Sequence, residues 1–226
     1  MKRFGIILLT IVFAVALNGC ALNFYKGKPE QEKQIKKLTS QVEELEATKR
    51  MLEDRLSREI GDKQVLLELA SRGLVITMAN DILFDSGKAK LKRDAHGLLK
   101  KISAVIKETA PDRDIGVEGH TDNVPIKYSG WKSNWELSTA RATSVLHYII
   151  DECGIAPQKL SAIGYGEFRS VDTNETKAGR ANNRRVEIII LPKEMTKKSY
   201  EEIQSKTSEE ARSAEEAKTP NEETVK

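Results

Sequence analysis

The sequence predicts an α+β fold: a β-α-β-α-β-β sandwich with two helices on one face of a mixed sheet, preceded by a long coiled-coil-like helix. Three observations predict it. Residues 30–70 contain no proline and one glycine, Gly61, and repeat apolar residues at heptad spacing. Beyond Arg72-Gly73, apolar runs of strand length alternate with two stretches of helical periodicity. Pro111, Gly154, Pro157 and Pro192 punctuate the boundaries. Elements in this order pack as a sheet with its helices on one face.

The long helix comes first. One seam position runs Ile35, Val42, Lys49, Leu56 and Lys63, and the other Leu38, Leu45, Leu52, Glu59 and Leu66, so seven of the ten are apolar. The remaining positions are rich in Glu, Lys, Gln and Arg. That favours an extended helix that oligomerises along its seam over one packed on its own domain. About 40 residues at the helical rise reach roughly 60 Å.

Leu74–Ala79 then reads as a strand. Leu91, Ala95, Leu98, Leu99, Ile102, Val105 and Ile106 recur at helical spacing, which predicts a helix from Lys88 to Thr109, stopped before Pro111. Asp114–Glu118 is a short strand. Ser133-Asn134-Trp135-Glu136 sets Ser and Glu three apart, as in a capping box, and opens a helix to Cys153. Gly154 and Pro157 end that helix. Leu160–Tyr165 and Arg185–Leu191 are the last two strands.

The termini differ in character. Lys2 and Arg3 precede an apolar run, Phe4 to Leu17, which has the length of a signal-peptide core and is short for a membrane span of about 20 residues. The run ends in Leu17-Asn18-Gly19-Cys20, which resembles a bacterial lipobox. The resemblance implies cleavage before Cys20 and its acylation, and Ala21 after the cysteine favours the outer membrane. Several acyl chains anchor stably where one is marginal. Residues 193–226 are rich in Glu, Lys, Ser and Thr and too poor in apolar residues to offset the entropy of ordering. The expected division is therefore a lipoprotein signal peptide (1–19), a linker (20–29), a helical spacer (30–72), a globular domain (73–192) and a disordered tail (193–226).

Composition narrows the function. Of 226 residues, 37 are basic and 34 acidic, for a net charge of +3, and 5% are aromatic. Near balance and few aromatics point away from nucleic acid, which needs a basic stripe or stacking platforms. Cys20 and Cys153 are too far apart in chain and setting to form a disulfide framework. No CxxC or HExxH pattern occurs, and His96, His120 and His147 are scattered, so no metal or cofactor is expected.

The chemistry gathers in four pieces. Gly119-His120-Thr121-Asp122-Asn123 follows a strand directly. Arg141 stands nineteen residues after Asp122, on the second helix, within Asn134-Trp135-Glu136-Leu137-Ser138-Thr139-Ala140-Arg141-Ala142. Gly164-Tyr165-Gly166-Glu167 comes next. Gly179-Arg180-Ala181-Asn182-Asn183-Arg184-Arg185-Val186-Glu187 enters the last strand.

Taken together, and with Ile82-Leu83-Phe84-Asp85-Ser86-Gly87 ahead of them, these pieces resemble the OmpA-like peptidoglycan-binding domain of the OmpA/Pal/MotB family. The resemblance covers Leu74 to Pro192. It implies a non-catalytic protein that binds the peptidoglycan stem peptide at diaminopimelate and tethers the outer membrane to the wall. Asp122 would take the ammonium of that residue and Arg141 its carboxylate. Thr121, Asn123, Leu137, Asn183 and Arg184 would complete the pocket. A zwitterion needs one fixed anion and one fixed cation, and Arg offers a planar fork for carboxylate that Lys cannot copy. Asn123-Val124-Pro125-Ile126 and the long loop to Trp135 look closer to the MotB type, but Phe4 to Leu17 lacks the acidic residue of a stator's membrane span.

Two rival functions follow from the same residues. A wall hydrolase could use His120 and Asp122 on a metal, but no third ligand stands at motif spacing, and no Ser-His or Cys-His arrangement is visible. Alternatively, the heptad segment recruits an envelope machine and the globular domain anchors it to the wall.

Overall fold

The computed structural model describes residues 29–127 and 129–193. The signal peptide, Cys20, residues 20–28 of the linker and residues 194–226 of the tail lie outside the described residues. The chain divides into one unit ending at Glu43 and another beginning at Glu44. In the first unit the described residues are helical, the start of α1 (Pro29–Arg55), and Ile35, Leu38 and Val42 are 62%, 55% and 45% exposed.

The second unit holds the rest of α1 and the globular fold. Its elements are α2 (Ser57–Gly61), β1 (Val65–Ala70), β2 (Gly73–Ala79), α3 (Asn80–Leu83), α4 (Arg93–Thr109), β3 (Ile115–Gly119) and α5 (Asn134–Asp151). A 3-10 turn at Pro157–Lys159, β4 (Leu160–Gly164), α6 (Lys177–Asn183) and β5 (Arg185–Ile190) complete it. The sheet order is β1-β2-β5-β3-β4, with β3 and β4 parallel and every other pair antiparallel. The expected α+β architecture with a mixed sheet is therefore present.

Alternation along the strands explains how the layers form. Leu74, Ile76, Met78, Ile115, Val117, Val186, Ile188 and Ile190 share one core with Leu99, Ile102 and Val105 of α4 and Ala142, Val145 and Ile149 of α5. Strand side chains alternate between faces, so the intervening residues point away from the helices. There Val75, Ile189 and Leu191 make a second, smaller cluster, beside Arg185 and Glu187.

The expected helical spacer to Arg72 is corrected. Helix α1 ends at Arg55, and Val65–Ala70 is a fifth strand, paired antiparallel with β2 at the sheet edge. The turn between the two needs Gly73, at φ +122°, where a Cβ would meet Ile190 O at 2.2 Å. The seam's later leucines also serve this domain. Leu45, Leu52 and Leu56 are buried in its core, so this part of the helix is packed on its own domain and does not stand free as a spacer. Glu44 pairs with Arg113 in a two-pronged contact at 3.1 and 2.9 Å, and Arg113 Nη1 also donates to Leu191 O at 3.3 Å.

One helix start and one cap are corrected as well. Helix α4 begins at Arg93, because Lys88 N donates to Asp85 O in a turn and Phe84 bridges Leu91. Ser133 is the N-cap of α5, but its side chain makes no capping bond. Glu136 instead accepts from Lys132 N at 2.6 Å, one residue beyond the capping-box position.

Candidate ligand-binding site

The loop after β3 carries Thr121, Asp122 and Asn123. Gly119 lets it form, since β3 runs against α5 so closely that a Cβ there would meet Ser138 O at 2.2 Å. Backbone bonds then fix the loop: His120 N donates to Arg185 O at 3.0 Å and Thr121 N to Gly166 O at 2.8 Å. Asn134, the first residue of α5, donates to the carbonyls of Asp122 and Val124 and to Glu167 Oε2.

Asp122 accepts from Val124 N at 3.2 Å and from Arg184 Nη1 at 2.7 Å. Its side chain is 11% exposed, against 38% for Arg184. A carboxylate desolvated to this degree needs such charged donors.

Arg141 projects from α5 and is buried. Nε donates to Lys88 O at 2.9 Å, Nη2 makes a long approach to Asp85 O, and the guanidinium carbon lies 5.4 Å from the centroid of the Phe84 ring. The sequence motif around Phe84 thus builds the floor of the Arg141 site. Burial, and after it the charge of Arg184, pull its pKa down to about 10 against the opposing effect of Asp122, so the side chain is still charged at neutral pH. Asp122, Arg141 and Arg184 therefore act on one another electrostatically in a single site. Nη1 of Arg141 has no protein acceptor among the described residues.

The other expected site residues separate. Thr121 is buried with Oγ1 unpartnered, Asn123 is exposed, and Leu137 is buried one turn before Arg141. Asn183 is corrected from ligand contact to scaffold. It is fully buried, accepts from Val171 N and Asp172 N, and donates to Asp172 O and Asn174 Oδ1. All its amide capacity goes to the loop before α6. His120 does not join Asp122. It is 2% exposed, stacks on Tyr165 with centroids 5.3 Å apart, and faces Glu118 and Glu187 on the side of the sheet away from α4 and α5.

Sequence reasoning missed two features. Asn134 read as a helix-start residue, yet it holds the Asp122 loop. Trp135 and Phe168 are 47% and 65% exposed and stack at 5.1 Å, an exposed apolar pair next in sequence to Asn134 and Glu167.

The model of the OmpA family matches residues 83–184, the segment that holds Asp122, Asn134, Arg141 and Arg184. Outer-membrane lipoprotein YfiB of Pseudomonas aeruginosa is 34% identical over 123 residues, and the alignment spans 70% of that protein and 54% of this chain. The chain belongs to the OmpA family. Motility protein B of Bacillus subtilis is 41% identical over 151 residues, 67% of this chain and 58% of that protein. The chain spans about half the length of the first curated relatives it matches. Among solved structures, the cell wall anchor of the type VI secretion system of P. aeruginosa aligns with a TM-score of 0.57 and 34% identity, over 63% of this chain and 97% of that one. The periplasmic domain of Helicobacter pylori MotB aligns with a TM-score of 0.54 and 25% identity, over 63% and 91% of the two chains.

Proposed function

We propose that this OmpA-family chain binds peptidoglycan without catalysis, holding the zwitterionic end of a diaminopimelate side chain between Asp122 and Arg141. One observation carries the reading. Arg141 is buried and still charged, bolted through Nε to Lys88 O, with Nη1 free of any protein acceptor among the described residues and Asp122 close enough to raise its pKa. A carboxylate satisfies such a fork, and the neighbouring aspartate suits an ammonium. Arg184 and the backbone around Thr121 and Asn123 border the ligand, and Leu137 packs below it. The solved relative described as a cell wall anchor supports the same reading.

Lipid at Cys20 would place the chain in the outer membrane, facing the wall. A lipid at one end and a polymer with many stems at the other raise effective concentration, so modest affinity per site suffices. Retention on purified sacculi tests the clamp. The full chain is expected to be retained, and Asp122→Ala and Arg141→Ala to be lost. Retention equal to wild type in both variants overturns it.

A second reading has its own support. Ile35, Leu38 and Val42 leave a heptad seam exposed on α1, and the relatives include a motility protein and a secretion-system anchor. Self-association along this seam would make the domain the wall-bound foot of a larger assembly. Crosslinking in the native envelope tests it, with a monomer at every distance as the contrary result.

A further inference from the structure

The face of the sheet away from α4 and α5 holds a second polar cluster, apart from the Asp122 site. Glu118 of β3 and Glu187 of β5 stand directly opposite in the antiparallel ladder, with side chains 3% and 4% exposed. Like charges directly across a sheet are unfavourable, and burial deepens the penalty. A cation has to sit between them. In this structure it is a guanidinium: Arg72 Nη1 donates to Glu118 Oε2 at 2.7 Å, and Nη2 makes a short contact with Glu187 Oε2. Arg185 holds the other oxygen of Glu187 at 2.6 Å.

His120 aims at the same two oxygens. It is 2% exposed, neither ring nitrogen has a hydrogen-bond partner, and Nε2 lies 3.8 Å from Glu118 Oε2 and 4.0 Å from Glu187 Oε2. Buried imidazole nitrogens without partners are unfavourable and call for a ligand. One donor atom from each of the three residues lies within 4.8 Å of the others. A point equidistant from three atoms so spaced lies roughly 2.2–2.5 Å from each, close to the about 2.0–2.2 Å that zinc takes from His nitrogen or carboxylate oxygen.

We infer that Glu118, His120 and Glu187 form a seat for a divalent transition-metal ion, in which the guanidinium of Arg72 is the resident substitute. One imidazole and two carboxylates suit zinc or its neighbours. Arg72 has room to swing away from the carboxylates. It stands on the β1–β2 turn, its side chain is 39% exposed, and it lines an open groove of about 560 Å³ with Val75, Thr77 and Glu187. The charges agree with such an exchange. Without Arg72, Glu118 and Glu187 keep the charge of Arg185 but lack one positive charge, and a dication more than supplies it. Tyr165, stacked on His120, keeps the ring edge aimed at the seat. None of the residues proposed to hold peptidoglycan belongs to this seat.

Zinc titration of the chelator-treated full chain tests it, in a His96→Gln/His147→Gln background where His120 is the one imidazole. Arg72→Gln is expected to tighten zinc binding at least about tenfold, because the ion no longer competes with a charge-assisted pair. His120→Asn in that variant is expected to abolish the gain. Arg72→Lys, which keeps a cation beside the carboxylates, guards against misfolding of the Gln variant and should tighten binding to a smaller degree. No tightening in either Arg72 variant, or tightening that survives His120→Asn, overturns the inference.

Discussion

Asp122 Oδ2 accepts a hydrogen bond from Arg184 Nη1 at 2.7 Å, so the site's anion is already held by a second cation beside Arg141. Arg184 is 38% exposed but Asp122 is only 11% exposed, so Arg184→Ala leaves a buried carboxylate without its charged donor. The variant is therefore expected to lose about 1–3 kcal/mol of unfolding free energy. Urea denaturation measures it, and no measurable loss would mean that water replaces the guanidinium.

Arg141 should behave differently. Arg141→Lys keeps the charge but loses the fork and the bond from Nε to Lys88 O. A well-placed charge-assisted bond is worth about 1.5–3 kcal/mol, so affinity for a diaminopimelate-containing stem peptide should fall roughly ten- to a hundredfold. Calorimetry reads the change directly, and affinity equal to wild type would mean that a point charge suffices.

The seam of α1 makes a paired prediction. Leu52→Ala removes a fully buried side chain and should destabilise the domain by about 2–5 kcal/mol. Leu38→Ala, at an exposed position, should stay within about 0.5 kcal/mol. Equal effects at both positions would contradict the change of environment along the helix.

Gly119→Ala is expected to destabilise by about 1–3 kcal/mol, since its Cβ would press on backbone of α5. Helix α5 also carries Arg141, so stem-peptide affinity should fall even where the variant remains folded. Normal binding by a folded variant would show that α5 tolerates the shift.

His120 gives the fold an acid sensitivity. Burial is the main cause that sets its pKa below the ordinary 6.5, ahead of the opposing pull of Glu118 and the charge of Arg185. The unfolded chain then takes up a proton before the folded one does. Stability is complete above about pH 6.5 and declines as pH falls from there toward the depressed value. Glu187 adds to the loss at lower pH. Burial raises its pKa, but Arg185 and Arg72 overcome this and hold it below the usual carboxylate range. Chemical denaturation between pH 7 and 5 should show a slope in wild type that is reduced in His120→Gln.

Four strands and two long helices were legible because their apolar alternation and helical spacing were unambiguous. The strand β1 was not. Leu66 continues the heptad of Leu38, Leu45 and Leu52, so a strand of alternating burial read as one more helical turn. The positive φ of Lys63 after Gly61-Asp62 is the local signal that breaks the helix there. Around the β3 loop, the grouping of Asp122, Arg141 and Arg184 was legible through the family resemblance, since each charge taken alone could equally cap a turn or face solvent. Asn183 was not, since the same amide serves a ligand or a loop, and only its four occupied bonds decide between them. The partners of Arg141 were also hidden, because Lys88 O and Asp85 O are backbone atoms that no residue type announces.

The β3–β5 ladder is closed at both ends by arginine. Arg113 joins Glu44 and Leu191 O before β3 and after β5, and Arg184 joins Asp122 at the far end. Glu44 of α1 is thereby tied to one end of this ladder and Asp122 to the other, so two arginines pin a helix and a loop to opposite ends of the same pair of strands.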